Sequence, residues 1–394
     1  MKIYNTQSKT IEEFSPAKKE VGMYVCGPTV YSESHLGHAK SYVAFDILRR
    51  WIEYNGHPVM HVQNITDVSD ETAQTALKFG KSEKEITEEY TEKFKTQMRT
   101  LGNLEPRYTP KASEYVEKIA EITKDFLNIG KAYETEEGVY LKVESKNHGK
   151  LLGSSIDEAI VEIGVNTGPK RSPYDFMLWG PELAGGETWN IEGLKPGRPG
   201  WHSGCVMMAS SILKMPLDIH CGGVDLIYPH HESEIIISEC VFEKEYCNFW
   251  VHNGLMEDAE GKLSKSGKQR LTLSEIFKKY EPMQMRFYLL GHHYRENTPF
   301  DIRAFEKACE GYQKLNRIAK KSMTYEKREI ESALLLEILE KMENSMNDDL
   351  NTPAVIDLIR EVDRMAKERL ESESEMGQIS SIYSLFKKTL GIFL

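Results

Sequence analysis

Residues 26–38 read Cys26-Gly27-Pro28-Thr29-Val30-Tyr31-Ser32-Glu33-Ser34-His35-Leu36-Gly37-His38. Just before them, Val21 to Val25 form a short apolar run with β-branched members, which predicts a buried strand. Just after them, Ala39–Tyr54 is predicted as a helix, because Val43, Ile47, Leu48 and Trp51 share one apolar face. The stretch therefore occupies a strand-to-helix turn. In an open α/β sheet such a turn lies in the ligand-binding crevice, where free helix-start N–H groups face phosphate. Gly37 lets a ligand come close to the backbone, with His35 and His38 flanking it on a single turn. On this stretch alone, two helix-start histidines and a buried cysteine read equally well as structural.

Further along, Val59–Val62 predicts a second strand, and Asn64-Ile65-Thr66-Asp67 puts polar residues just past its end. The alternative is an ordinary turn in which Asp67 caps a helix. Glu83–Met98 and Ala112–Leu127 are charged amphipathic helices. Ala132-Tyr133 and Gly138–Leu141 read as short strands, and Asp175–Trp179 closes a region that breaks the α/β rhythm. A second half follows, with a helix at Val206–Leu213, a strand at Leu217–His220, a turn at Cys221-Gly222-Gly223, a helix at His230–Val241 and a strand at Trp250–His252. An acidic loop with glycines, Asn253–Gly261, then leads into Lys262-Leu263-Ser264-Lys265-Ser266. Leu271–Phe300 reads as a small linker region. Beyond Phe305, apolar positions such as Leu334, Leu335, Ile338 and Leu339 recur at helical spacing and predict an α-helical bundle.

At 394 residues the chain has room for two or three domains, and 40% hydrophobic with 28% charged residues is ordinary for a globular protein. No apolar run is long enough for a transmembrane helix, and Met1-Lys2-Ile3-Tyr4 opens no signal core, so a cytoplasmic protein is expected. The six cysteines show no disulfide-scaffold spacing, which favours reduced thiols or metal ligands. A net charge of −11 gives no support to nucleic-acid binding; the basic concentration is local, at Lys262, Lys265, Lys268, Arg270, Lys278 and Lys279.

The His-x-Gly-His turn and the Lys-x-Ser-Lys-Ser loop resemble the two signatures of class I aminoacyl-tRNA synthetases. The extended form from Cys26 to His38 is similar to the cysteinyl-tRNA synthetase family. Gly200-Trp201-His202, Asp225-Leu226-Ile227-Tyr228-Pro229-His230-His231-Glu232 and Asp348-Asp349-Leu350-Asn351-Thr352-Pro353 add to it, so the likeness runs from Lys2 to roughly Arg360. It implies a Rossmann-like α/β catalytic domain with an inserted connecting region, followed by an α-helical bundle. The expected division is 1–90 and 201–270 for the halves of the catalytic domain, 91–200 for the insertion, 271–304 for a linker or stem-contact region and 305–394 for the bundle.

The resemblance also implies a function. Cysteine would attack ATP, held with Mg²⁺, to give cysteinyl-adenylate, and the cysteinyl group would pass to tRNA(Cys). Catalytic roles fall on His35, His38, Lys262 and Lys265, and nucleotide contacts on Gly37, Ser264 and Ser266. Cys26, Cys205, His230 and Glu234 match the family's zinc ligands, one ion per chain. From the residues alone, His230 and Glu234 are four apart on a predicted helix, and thiolate, imidazole and carboxylate suit Zn²⁺. Cys26 and Cys205 come from distant predicted turns, and a lone cysteine is otherwise a small buried hydrophobe. Zinc would distinguish cysteine from serine, which an apolar pocket does poorly. Gly27, Thr66, Trp201 and His220 match positions around that pocket, with Trp201 as core packing the alternative.

Some features depart from the family. Ser203-Gly204 stands for an Ile-Glu pair, Gly267-Lys268-Gln269 for Leu-Gly-Asn, Leu263 for Met, Ser32 for Asp and Cys221 for Gly. The chain ends at Leu394, so weaker anticodon dependence than in longer members is expected. The other readings are a mycothiol-type ligase joining cysteine to an amino sugar and a non-catalytic paralogue. A monomer is expected, with no membrane partner.

Overall fold

The computed structural model describes residues 1–16, 18–144, 149–152, 168–258, the backbone of 261–262, 271–368 and 372–393. Ser264, Lys265, Ser266, Gly267–Gln269 and the Lys262 side chain lie outside the described residues. The chain opens with an antiparallel hairpin, β1 (Lys2–Asn5) and β2 (Thr10–Glu13). The first parallel unit is β3 (Val21–Val25), α1 (Leu36–Tyr54) and β4 (Val59–Gln63). Helices α2 (Asp70–Phe79), α3 (Glu83–Thr100) and α4 (Val116–Asn128) follow. They lead to an antiparallel sheet of β5 (Ala132–Glu134), β6 (Val139–Leu141), β7 (Phe176–Pro181) and β8 (Gly197–Pro199). Helix α5 (Trp201–Ile212) returns to the second parallel unit, β9 (Leu217–Gly223), α6 (Glu232–Phe242) and β10 (Cys247–Asn253).

The central sheet has the order β10-β9-β3-β4, all parallel. The two units thus meet through their first strands, and their chains leave β3 and β9 in opposite directions. That is a topological switch point, and the carboxyl ends of the two strands open the crevice there. Strand alternation divides the residues between the faces. Met23 and Val25 pack with Ile219, Cys221 and Val251 under α1, while Tyr24 and Cys26 pack with Leu217 and Trp250 on the face covered by α4, α5 and α6.

Beyond the sheet come β11 (Met256–Asp258), β12 (Gly261–Lys262), α7 (Leu273–Phe277), α8 (Pro282–Leu290) and β13 (Thr298–Pro299). The strands β12-β11-β13 form a small sheet of their own. Helices α9 (Ile302–Ser322), α10 (Ala333–Asn347), α11 (Thr352–Glu368) and α12 (Glu373–Leu390) complete the chain. Their apolar faces, with Phe305, Tyr312, Ile338, Met342, Ile359 and Phe386, join the cluster on the α1 side of the sheet. Among the described residues no helix is long and apolar enough to cross a membrane.

Three sequence expectations are corrected. Helix α1 starts at Leu36, because His35 is its N-cap. The Gly37 N–H donates to His35 Nδ1 at 3.1 Å, and the His35 N–H donates to His38 Nδ1 at 3.3 Å. Histidines here do what serine and glutamate usually do in a capping box. Helix α5 begins at Trp201, so Cys205 sits on a helix and not in a turn. Strand β9 runs through Cys221, Gly222 and Gly223, where a turn was expected. Gly222 is needed there for close approach: a Cβ on it would lie 2.5 Å from Cε1 of His231. The region 271–300 holds the two helices α7 and α8, and α2 adds an element outside the expectations; its signal is the Ser69–Thr72 capping box, with Thr72 N–H donating to Ser69 Oγ at 3.1 Å.

Candidate metal centre and nucleotide crevice

The register pairs Tyr24 with His220 and Val25 with Cys221, and the Cys26 N–H donates to the Cys221 carbonyl at 2.9 Å. Cys26 therefore sits at the end of β3, on the α5/α6 face of the sheet. Cys205, the fifth residue of α5, comes toward it from the start of that helix's second turn. A kinked stretch, Ile227–His231, with Tyr228 extended, leads into α6 and presents His230, and the start of α6 presents Glu234. Ligand atoms of Cys26, Cys205, His230 and Glu234 all lie within 4.8 Å of one another, and all four residues are buried. His230 Nε2 is 2.9 Å from Glu234 Oε1 and 3.5 Å from Cys205 Sγ, while Cys26 Sγ is 3.7 Å from Glu234 Oε1. This cluster could hold a metal ion. Two thiols, an imidazole and a carboxylate are a donor set that suits a borderline-soft divalent cation.

A second set, Cys26, His220, His231 and Glu234, meets the same spacing and shares two members with the first. His220 Nε2 and His231 Nε2 each lie 3.4 Å from Cys26 Sγ. His231 continues through His252 Nε2 at 2.7 Å to the Thr6 hydroxyl, 2.7 Å from His252 Nδ1. His220 stacks on Trp250, with centroids 4.4 Å apart. In the first set, His230 Nδ1 lies 2.9 Å from His202 Nδ1, and Trp201 stacks on the ring at 4.2 Å, whereas in the second set the far nitrogen of His220 has no partner among the described residues. A partner at the far nitrogen fixes which nitrogen of a ligating imidazole is free. Tyr246 donates its hydroxyl to Glu234 Oε2 at 2.9 Å.

Electrostatics favour a cation in this place. Burial pushes the Glu234 carboxyl well up, and burial followed by contact with Cys205 pushes the Cys26 thiol well up. Cys205, receiving a hydrogen bond from Cys26 against its own burial, is lowered to about 7. Burial also pulls His202, His220 and His231 well below the usual histidine range, and His252 down to about 3. Those four imidazoles are neutral and burial keeps protons on Glu234 and Cys26, so a bound cation would displace protons from the cluster.

The expected pocket residues surround this centre. Gly27 lies just past the paired ends of β3 and β4; a Cβ there would lie 1.5 Å from the Asn64 carbonyl oxygen. Thr66 donates its N–H to the Pro28 carbonyl at 3.0 Å. With Trp201, Gly204, Cys205 and Met208 it lines a small cavity. Trp201 is 44% exposed, so it is not a core residue. Of the altered positions, Gly204 lines that cavity, and Ser203 is buried with its hydroxyl unpartnered among the described residues.

On the crevice side, His35 and His38 stack with centroids 3.9 Å apart. His38 stacks in turn on Tyr42 at 6.3 Å, and Tyr42 donates to the Cys26 carbonyl at 3.3 Å, which links the helix start to the cluster. Lys40, one turn into α1, donates to the Leu255 carbonyl at 3.2 Å, to Thr298 Oγ1 at 2.7 Å and to the Glu296 carbonyl. Burial lowers Lys40 to about 8, still an ammonium at neutral pH with three N–H groups for three acceptors. Sequence reasoning missed His202, His231, His252, Tyr246 and Thr6; the His230-His231 pair was visible, but nothing in the sequence brings Thr6 or His252 beside it.

The family of tRNA synthetases class I (C) catalytic domain matches residues 13–310. The chain is 38% identical to the cysteine–tRNA ligase of Lachnoclostridium phytofermentans over 98% of its own length and 85% of the relative's. It is 34% identical to that of Thermococcus onnurineus, over 100% and 86%. A methionyl-tRNA synthetase from Mycobacterium tuberculosis, solved with methionyl-adenylate, superposes with a TM-score of 0.66 over 95% of this chain and 92% of that one. At 11% identity that likeness speaks for the fold alone.

Proposed function

Since the chain belongs to the cysteine branch of the class I tRNA synthetases, we propose that it activates L-cysteine with ATP and transfers it to tRNA(Cys). The observation that carries this reading is the buried Cys26–Cys205–His230–Glu234 cluster at the switch point, beside the His35–His38 helix start. These four residues would hold one Zn²⁺. When bound, zinc would supply a Lewis acid that prefers a thiolate to a hydroxyl, and so separate cysteine from serine. His202 and Tyr246 orient His230 and Glu234 through their second atoms. Thr66 and Trp201, which line the small cavity beside Cys205, would form the wall that a small amino acid meets, and His220, 3.4 Å from Cys26 Sγ, is assigned beside them.

Activation needs charge stabilised on an α-phosphate as the carboxylate attacks it. His35 and His38 at the start of α1 would meet that charge, and ATP would enter with Mg²⁺. Lys262 and Lys265 are assigned to the pyrophosphate, with Ser264 and Ser266 beside it, on the strength of the signature. Cysteine-dependent ATP–pyrophosphate exchange in the absence of tRNA tests the reading, followed by charging of total tRNA beside an amino-sugar acceptor. Exchange with cysteine and transfer to tRNA are expected; equal exchange with serine, or transfer to the sugar alone, would refute it.

A further inference from the structure

The carboxylate of Glu33, two residues ahead of His35, lies where three elements meet. Its Oε2 accepts from the Ser274 hydroxyl at 2.6 Å and from the Gln97 amide at 3.1 Å, and Lys93 Nζ lies 3.1 Å from its Oε1. The Gln97 amide also donates to Ser274 Oγ at 2.9 Å. Ser274 belongs to α7, the first described helix after Lys265; Gln97 and Lys93 belong to α3; Glu33 belongs to the loop that starts α1. Next to this contact the backbones touch directly. Leu273 N–H donates to the Ser34 carbonyl at 2.8 Å, and His35 bridges Thr272 in antiparallel fashion.

Gln97 shows how strongly the place is specified. It is buried, and its amide oxygen has no partner among the described residues, while its N–H group serves both Glu33 and Ser274. Turned the other way, the amide oxygen would face the Glu33 carboxylate and the N–H groups would be lost to both acceptors. A buried acceptor is left unmet so that the donor can be presented here. Helix α7 is itself held firmly, with Leu273 and Ile276 buried and Thr272 capping it through Glu275. Lys93 offsets the negative charge, which would otherwise repel a triphosphate at the nearby helix start.

We propose that Glu33 is a positioning residue for the activation step: its carboxylate fixes the chain returning from Lys262–Lys265 against the helix start that carries His35 and His38. It rests on the reading of those two signatures as the nucleotide site. Glu33 touches no reacting atom. It acts by setting the register between Thr272 and His35, and small errors of placement between catalytic groups cost large factors in rate.

The test uses the full chain with Glu33→Ala, Ser274→Ala, the double variant and Glu33→Gln, which keeps an acceptor oxygen. Glu33→Ala is expected to lower kcat for cysteine-dependent pyrophosphate exchange about tenfold, with KM for cysteine within about twofold and the melting midpoint nearly unchanged. Glu33→Gln should recover most of that rate. The double variant should be no slower than Glu33→Ala, since both remove one contact. Deuterium uptake over residues 272–277 should rise in Glu33→Ala. An unchanged kcat and uptake, a loss of rate matched by a loss of thermal stability, or independent multiplying effects of the two single variants would each overturn the proposal. Raised uptake in a protein that shows no exchange with cysteine would instead overturn the reading of the site, and the positioning role of Glu33 with it.

Discussion

His230 uses both of its ring nitrogens. Nε2 faces Cys205 and Glu234, and Nδ1 faces His202 at 2.9 Å. If Nε2 gives its lone pair to a metal, Nδ1 must carry the proton and donate it to His202. His202 is then expected to matter for retention of the ion without touching it. We expect Cys205→Ser to lower zinc content well below one per chain, and His202→Phe to weaken zinc binding about 10- to 100-fold. Competition with a chromophoric chelator on purified protein measures both. Retention equal to the unaltered protein in Cys205→Ser would remove Cys205 from the ligand set and favour the set that contains His220 and His231. The four candidate ligands were named from the family resemblance, and only the His230–Glu234 spacing followed from helix geometry. The surrounding side chains were not legible, because His202, His231, His252 and Thr6 reach the centre from separate elements whose approach is decided by strand register and helix start.

Among the elements, α1 is held by a buried ion cluster as well as by its apolar face. Arg286 of α8, fully buried, pairs with Asp46 and also donates to the Leu390 carbonyl at 2.8 Å, the Leu101 carbonyl at 3.1 Å and Asn103 Oδ1 at 2.7 Å. Arg50 adds a second contact to Asp46 at 2.7 Å. Burial works against ionisation of Asp46, but Arg286 and Arg50 outweigh it and hold the carboxyl below its usual range. Burial pulls Arg286 down as Asp46 holds it up, and a guanidinium stays charged throughout. Asp46→Asn leaves that charge uncompensated and should cost about 3–5 kcal/mol, measured by urea unfolding at pH 7. A carboxyl with a depressed folded pKa gives stability that is complete above its unfolded value, about 3.9, and lost as pH falls through the folded one. The gap between the two proteins should therefore hold from pH 8 to pH 5 and narrow below about pH 4. A gap already closed at pH 6 would show that Asp46 is not the stabilising anion. Strongly periodic elements such as β3, α3 and the bundle helices were legible in the sequence. Boundaries were not, where histidines cap the start of α1 or glycines carry on the end of β9, since both break the residue statistics that mark a boundary.

At the scale of the molecule, one carboxylate joins the amino-terminal hairpin, the segment after α8 and the bundle. Asp349 Oδ1 accepts from the Tyr4 N–H at 2.9 Å and the Tyr294 hydroxyl at 2.7 Å, and its Oδ2 pairs with Arg295 at 2.5 Å. Its own N–H donates to the Lys2 carbonyl at 3.1 Å. Arg295 also lies over the Tyr4 ring, 4.5 Å from its centroid. Asp349 and Leu350 both have positive φ, 54° and 56°, a conformation that aspartate tolerates and leucine resists. Leu350 is nonetheless held there, buried in the shared core. The backbone strain is set against a carboxylate that holds Tyr4 of the hairpin and His293, Tyr294 and Arg295 of the segment after α8. Asp349→Ala would leave the Tyr294 hydroxyl and the Tyr4 N–H without an acceptor, and would free the partly exposed Arg295. A loss of about 2–4 kcal/mol is expected, the Arg295 share being discounted for solvent. The same variant should loosen the junction specifically: hydrogen exchange should rise in β1 and over 292–298 before it rises in β3 or β9, which have partners of their own. Asp349→Asn keeps one acceptor for Tyr4 and Tyr294 and should fall between the two. Uniform loss of protection across the central sheet, with no earlier change at β1, would mean that Asp349 contributes only to global stability and that the junction is held by the apolar core alone.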